Sequence, residues 1–231
     1  MAVIQWNALS TNLYGSFEAL TLLPDAGVMK ETAGRLPVLY LLHDNGENAL
    51  QFLRSRDLET LCNEKKMIIC CPWISHSFGQ DYRWGGTFGQ FAAKEFPGIC
   101  ANMFAVDNGQ AMIGGTGTGA YAACFLARKY PGSFRKTVGF DGRYDMAELY
   151  RQVKEGKETG DLSLPMMEAA FGDPDSLPGS GKDLFAGGAP EGAVLGCSPD
   201  FAGAGETRRL AERWGVPVHT GTLARVLASV L

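Results

Sequence analysis

Short, nearly continuous apolar runs alternate along this chain with longer segments whose apolar residues recur at helical spacing. That is the pattern of buried strands covered on both faces by helices. Residues 2–24 read as extended structure turned at Tyr14-Gly15-Ser16, with partial alternation in Phe17-Glu18-Ala19-Leu20-Thr21-Leu22, which predicts an antiparallel N-terminal hairpin. A Gly-containing loop then leads to the continuous run Leu36-Pro37-Val38-Leu39-Tyr40-Leu41-Leu42, a strand with His43 at its end. The spacing of Leu50, Phe52, Leu53, Leu58 and Leu61 predicts a helix over 49–66, and Met67-Ile68-Ile69-Cys70-Cys71 is a second buried strand closed by Pro72. Residues 74–86 lack periodicity and read as a loop. A helix interrupted at Pro97 is expected over 88–103.

Ala111-Met112-Ile113-Gly114-Gly115 runs through a glycine-rich turn into a helix over 120–130, stopped by Pro131-Gly132. Strands follow at 137–140 and 193–197, delivering Asp141 and Asp200 to a strand end or the loop after it. Between them lie a helix over 146–154 and a polar Gly/Pro-rich segment over 172–192. A helix at 207–214, a strand at 216–219 and a helix at 223–231 close the chain. Strands alternating with helices predict an α/β fold with a mostly parallel central sheet, helices on both faces, and ligands at the carboxyl ends of the strands.

At 231 residues, 45% hydrophobic and 20% charged, the sequence reads as one domain over 1–231. A net charge of −4 gives no basic field for nucleic acid or anionic lipid. No window is long and apolar enough to span a bilayer, and the first residues carry no cationic segment before an apolar one, so a cytoplasmic protein is expected. Six cysteines lie mostly within apolar segments, without the paired spacing of a zinc site or disulfide framework, and read as reduced core residues. Met166-Met167 reads as packing, and neither a metal nor a cofactor is expected.

The most pointed local signal is Gly115-Thr116-Gly117-Thr118-Gly119. A strand that turns sharply into a helix through G-x-S-x-G exposes a nucleophile on a strained turn, its small neighbours permitting close approach. Here the outer glycines are present, but Gly117 holds the place of the serine and offers no nucleophile. From this point the chain resembles the esterase D, tributyrin esterase and S-formylglutathione hydrolase family. The resemblance runs nearly end to end: the 36–43 strand resembles the one before the oxyanion loop, and 120–131 the helix behind the nucleophile. Phe171-Gly172-Asp173-Pro174 through Asp183-Leu184-Phe185 is similar to a segment of bacterial members, and Cys197-Ser198-Pro199-Asp200-Phe201 to the loop bearing the triad acid. It implies an α/β-hydrolase fold, Asp200 at the acid position, and Asn45 N–H and Thr118 N–H as oxyanion donors.

Three departures stand beside these matches. Gly117 replaces the nucleophile. Asp44-Asn45-Gly46 follows His43 where the family has glycine, and a carboxylate at Asp44 would oppose an oxyanion if it pointed inward. The family's histidine loop before the last helix is missing, since Val218-His219-Thr220-Gly221-Thr222 runs directly into Leu223; His219 is left as a displaced base.

Other readings compete. Thr116 or Thr118 could serve as nucleophile given a base in reach, although both flank the exposed apex. Gly115-x-Gly117-x-x-Ala120 with Asp141 also fits a dinucleotide fingerprint, but it follows core strands rather than opening the first βαβ unit. The amides of 117–119 could bind an anion. The loop bearing Ser75, His76, Ser77, Asp81, Tyr82, Arg83 and Trp84 is expected to border the pocket, and His43 to be a hydrogen-bonded structural histidine at its floor. The pocket is thus expected from His43, Asp44, Asn45, residues 75–84, residues 116–119 including Gly119, Asp200 and His219. The leading expectation is a catalytically degenerate esterase-family protein that binds a small acyl-ester-like ligand, an anion or a protein partner. A short-acyl carboxylesterase or thioesterase using a threonine or activated water is the alternative, and a structural subunit, with a homo-oligomer left open, is the third.

Overall fold

In the computed structural model, which describes residues 2–32, 34–54, 57–74, 76–157 and 160–231, the apolar runs become the centre of one eight-stranded sheet. The N-terminal hairpin is β1 (Ala2–Ser10) and β2 (Gly15–Leu23), paired antiparallel around a turn in which Tyr14 takes φ 55°. β2 lies antiparallel to β4 (Ile68–Pro72), and from β4 onward every pairing is parallel, through β3 (Leu36–Leu42), β5 (Val106–Gly117), β6 (Lys136–Gly142), β7 (Ala193–Cys197) and β8 (Val218–Thr220). The order across the sheet is β1-β2-β4-β3-β5-β6-β7-β8.

Strands with both faces covered need apolar residues at every position, and β3 shows why. Leu36, Val38, Tyr40 and Leu42 enter one core, with Phe96 and Cys100 of α5 (Phe96–Met103), Leu126 of α6 (Thr118–Lys129) and Leu210 of α9 (Ala204–Trp214). Leu39 and Leu41 enter the other, with Phe52 of α2 (Ala49–Arg54), Leu58 and Leu61 of α3 (Leu58–Glu64), and Val226 and Leu227 of α10 (Leu223–Val230). α7 (Met146–Lys154) and α8 (Leu164–Phe171) pack on the first face. All six cysteines are free and buried.

Several expectations are corrected. The helix over 49–66 is two helices, α2 and α3, parted before Leu58, where Asp57 stands left-handed at φ 53°; the Leu53 side chain lies outside the described residues. The helix does not end at Pro97: α4 (Phe88–Gln90), a π-turn over Phe91–Glu95 and α5 run on without a break, and it is the α ladder that changes, to the wider π-turn just before Pro97, where a proline removes a backbone donor. The loop after β2 contains α1 (Ala26–Thr32), and α8 adds a helix where none is predicted. β5 and β6 are longer than the runs that announce them, and α6 begins at Thr118 rather than Ala120.

Candidate functional site

The turn from β5 into α6 is set by steric need. A Cβ on Gly115 would overlap the carbonyl of Gly119, and one on Gly119 would overlap the carbonyl oxygens of Leu42 and His43. Helix and strand approach as closely as they do because both positions lack side chains. Between them Gly117 takes φ 54° and ψ −122°, the strained apex from which a nucleophile would be presented.

That apex is occupied from outside. The loop after β3 turns Asp44 inward, and a Cβ on Gly117 would overlap the Asp44 carboxylate atoms, far inside van der Waals contact. Asp44 Oδ1 accepts from Thr118 N at 2.7 Å, from Asn45 N at 2.8 Å and from Thr118 Oγ1 at 2.9 Å. Asn45 N also donates to Thr118 Oγ1 at 3.0 Å. The two amides expected as oxyanion donors therefore converge on one point, and a carboxylate oxygen of the same chain stands there. An anion placed there would meet a resident carboxylate.

His43 is buried with Nδ1 2.8 Å from the Asp44 carbonyl, so Nδ1 carries the proton; Nε2 faces the Ile74 amide at 3.5 Å. Burial holds its pKa below the ordinary histidine value, with the Asp44 carbonyl and the Glu47 and Asp44 charges pulling the other way. It is a neutral histidine engaged on both nitrogens. His76 Nδ1 is bonded to Asn45 Oδ1, Asn45 Nδ2 donates to Asp161 Oδ1 at 2.6 Å, and His76 Nε2 lies 4.0 Å from Asp161 Oδ2. Asn45 is thus clamped between a histidine and a carboxylate. Beside it opens a cleft of about 290 Å³ lined by His43, Glu47, Trp73, His76 and Asp161.

The remaining predicted residues disperse. Ser77 is fully buried and its Oγ accepts from Gly79 N at 3.2 Å, so it holds its own loop; Ser75 lies outside the described residues. Trp84 is 87% exposed beneath the Arg83 guanidinium and lines a different cavity with Phe171 and Lys182. Thr116 is buried, its Oγ1 without a hydrogen-bond partner among the described residues. Asp200 is exposed and makes no side-chain hydrogen bond among the described residues, whereas Asp141, at φ 45°, accepts from Ser198 N and Oγ at 2.7 and 2.8 Å. His219 sits within β8, in register with Gly196, Phe140 and Thr116 across β7, β6 and β5. Three strand spacings put it about 14 Å from β5. Only Gly221 and Thr222 link β8 to α10, and a cavity of about 580 Å³ lies there, bordered by Phe140, Asp141, Ser198 and Thr222. Among the described residues no cluster of three or more His, Cys, Asp or Glu could hold a metal.

Asp161, Glu47 and Trp73 are cleft residues that sequence reasoning passed over. Asp161 meets Asn45 across 116 positions and belongs to no motif, so no local signal marks it.

No protein-family model matches the chain, and no curated protein matches it. Solved structures do. The fluorophosphonate-binding serine hydrolase F of Staphylococcus aureus superposes with a TM-score of 0.80 at 17% identity, covering 99% of this chain and 98% of that one. The S-formylglutathione hydrolase of the same organism gives 0.78 at 17%, with 99% and 98% covered, and that of Agrobacterium tumefaciens 0.72 at 14%, with 98% and 90% covered. The chain has the α/β-hydrolase fold. Likeness at this identity speaks for the scaffold it shares with these esterases, while chemistry must be argued from the site. No helix among the described residues is long and apolar enough to cross a membrane.

Proposed function

We propose that this chain is an esterase-type α/β-hydrolase protein that has given up acyl-enzyme catalysis and uses the cleft beside its elbow to hold a small ligand. One observation carries the reading: the Asp44 carboxylate fills the volume a nucleophile on residue 117 would need and takes both amide donors. Nucleophile and base act as a unit in serine hydrolases, and removing either costs about a million-fold in turnover. Here the apex carries no side chain, and the one histidine near the resemblance's base position, His219, is three strands away.

The ligand proposed is small, hydrogen-bonding and neutral or cationic. The cleft offers His43, His76, Trp73, Glu47 and Asp161, with Asp44 behind them, and this surplus of carboxylates disfavours the anion that the bare turn would attract. The alternative esterase would need Thr118, whose hydroxyl is spent between Asp44 and Asn45, or Thr116, which is buried. Turnover of p-nitrophenyl acetate and butyrate by the purified protein, beside a mock preparation and the Thr116→Val and Thr118→Val variants, tests the choice. No hydrolysis above the mock is expected. Hydrolysis abolished in one threonine variant would overturn the proposal in favour of the esterase.

A further inference from the structure

A second cavity lies at the far end of α6, about 15 Å along the helix from Gly117. It measures about 470 Å³ and is lined by Gln80, Asp81, Phe125, Arg128, Lys129 and Lys182 among others. Three cations face it against one carboxylate, in a chain whose net charge is −4. Lys129 is paired with Asp81 at 2.7 Å. Neither Arg128 nor Lys182 has an ion-pair partner among the described residues. Arg128 Nη2 donates to the carbonyls of Gly181 and Asp183 at 2.7 and 2.9 Å, and Lys182 Nζ to that of Ala170 at 2.9 Å. These carbonyls fix the two head groups without neutralising them.

Helix-end electrostatics account for Arg128 and Lys129, which sit in the last turn of α6. They do not account for Lys182, which comes from a distant loop, nor for Gln80. Gln80 is 1% exposed, yet its carboxamide borders the cavity: Nε2 makes long bonds to Phe78 O and Tyr121 Oη at 3.3 and 3.4 Å, and Oε1 has no partner among the described residues. An acceptor left open at the edge of a cavity, next to uncompensated cations, is available to a donor on a ligand. Burial, and after it the nearby Lys129, also push the Lys182 ammonium below its ordinary pKa, a cost to the charged form that an anion would relieve.

We propose that this cavity binds a small organic carboxylate that also carries a hydroxyl group. The acid lies against Lys182 and Arg128, the apolar body against Phe125, and the hydroxyl donates to Gln80 Oε1. With most of the Lys182 and Arg128 donors already spent on carbonyls, the few that remain suit the two oxygens of a monoanion better than a phosphate. This site is separate from the elbow cleft and does not depend on the function proposed for it.

The probe is 4-hydroxybenzoate, titrated into the full-length protein and followed by amide chemical shifts. Saturable binding with a dissociation constant below about 1 mM is expected, with shifts at Gln80, Lys129, Gly181 and Lys182. Lys182→Met and, separately, Arg128→Gln should each weaken it about tenfold, the size of one charge-assisted contact. 4-Hydroxybenzyl alcohol, which lacks the acid, should not bind. Absence of saturable binding, equal binding of the alcohol, or shifts at Asn45 and Thr118 in place of Gln80 and Lys182 would each overturn the proposal.

Discussion

The two halves of the site have fared differently. Around the β5–α6 turn the backbone of a nucleophile elbow is intact: the apex angles, the outer glycines and two convergent amides are all there. At the ends of β7 and β8, Asp200 faces solvent, His219 stays inside its strand, and two residues join β8 to α10 where a loop would have to reach across. Packing explains the contrast. The glycines of the elbow are demanded by carbonyl groups of β3 and α6 whatever the chemistry, so the turn persists as architecture. A longer connection over the sheet end would support no core, and the short one present borders a cavity rather than a packed interior.

The strongest way to break this comparison is to challenge the packing side of it. Gly119→Ala sets a methyl group against the carbonyl oxygens of Leu42 and His43, which belong to a central strand and its immediate continuation and cannot yield. A loss of about 3 kcal/mol or more is expected in urea denaturation. Gly98→Ala, in α5 with open space around its added carbon, should instead gain about 0.5 kcal/mol from helix propensity and a less free unfolded chain. If the two variants unfold at the same urea concentration, the elbow glycines are not architectural.

A smaller effect separates the apex from its plug. Gly117→Ser puts a side chain at positive φ and into the Asp44 carboxylate, and should cost about 2 kcal/mol. Asp44→Gly in the same chain removes the collision and should recover about 1 kcal/mol through coupling of the two positions. Neither chain should hydrolyse esters, since no base is restored. A single Gly117→Ser variant as stable as the parent would mean that Asp44 leaves the apex freely and does not plug it.

How much of this could be read in advance follows the range of the forces involved. β7 and α7 fall on the predicted residues, because a continuous apolar run and a capped amphipathic turn are local facts. α8 was hidden: it opens on Leu164-Pro165, and its buried Met167, Ala170 and Phe171 give only a weak stripe. The elbow was legible for the same local reason, three glycines spaced at the end of a strand. Which way the Asp44 carboxylate turns was not, because two of the groups that donate to it lie on Thr118, 74 positions away. Nor could the sequence place Asp161 opposite Asn45, or keep Trp84 out of the cleft, since both depend on how loops with no periodicity settle over a finished sheet.

The smallest effect is one of proton linkage at the joint between the two halves, where His43 ties β3 to the loop before Ser77. Folding holds its pKa below the unfolded value of about 6.5, because burial disfavours the charged ring by more than the Asp44 carbonyl and the nearby Glu47 and Asp44 charges favour it. Acidification then protonates the unfolded chain first. Stability that is fully present above about pH 6.5 is lost progressively below it, until the folded histidine also takes a proton. Glu206 works in the opposite sense: half-buried, it has a raised pKa because desolvation outweighs the amides of Tyr144 and Asp145 that it accepts from, so acidification favours the folded state as that carboxylate protonates. A single pH scan of the parent mixes the two. The difference between the parent and His43→Gln, which keeps a donor and an acceptor but does not titrate, isolates the histidine. Urea midpoints of the two should run parallel above pH 7 and separate as pH falls below about 6.5, the parent losing more. Parallel curves down to pH 5 would mean that His43 titrates alike in both states, and that the loop holding Asp44 in the apex is looser than its hydrogen bonds imply.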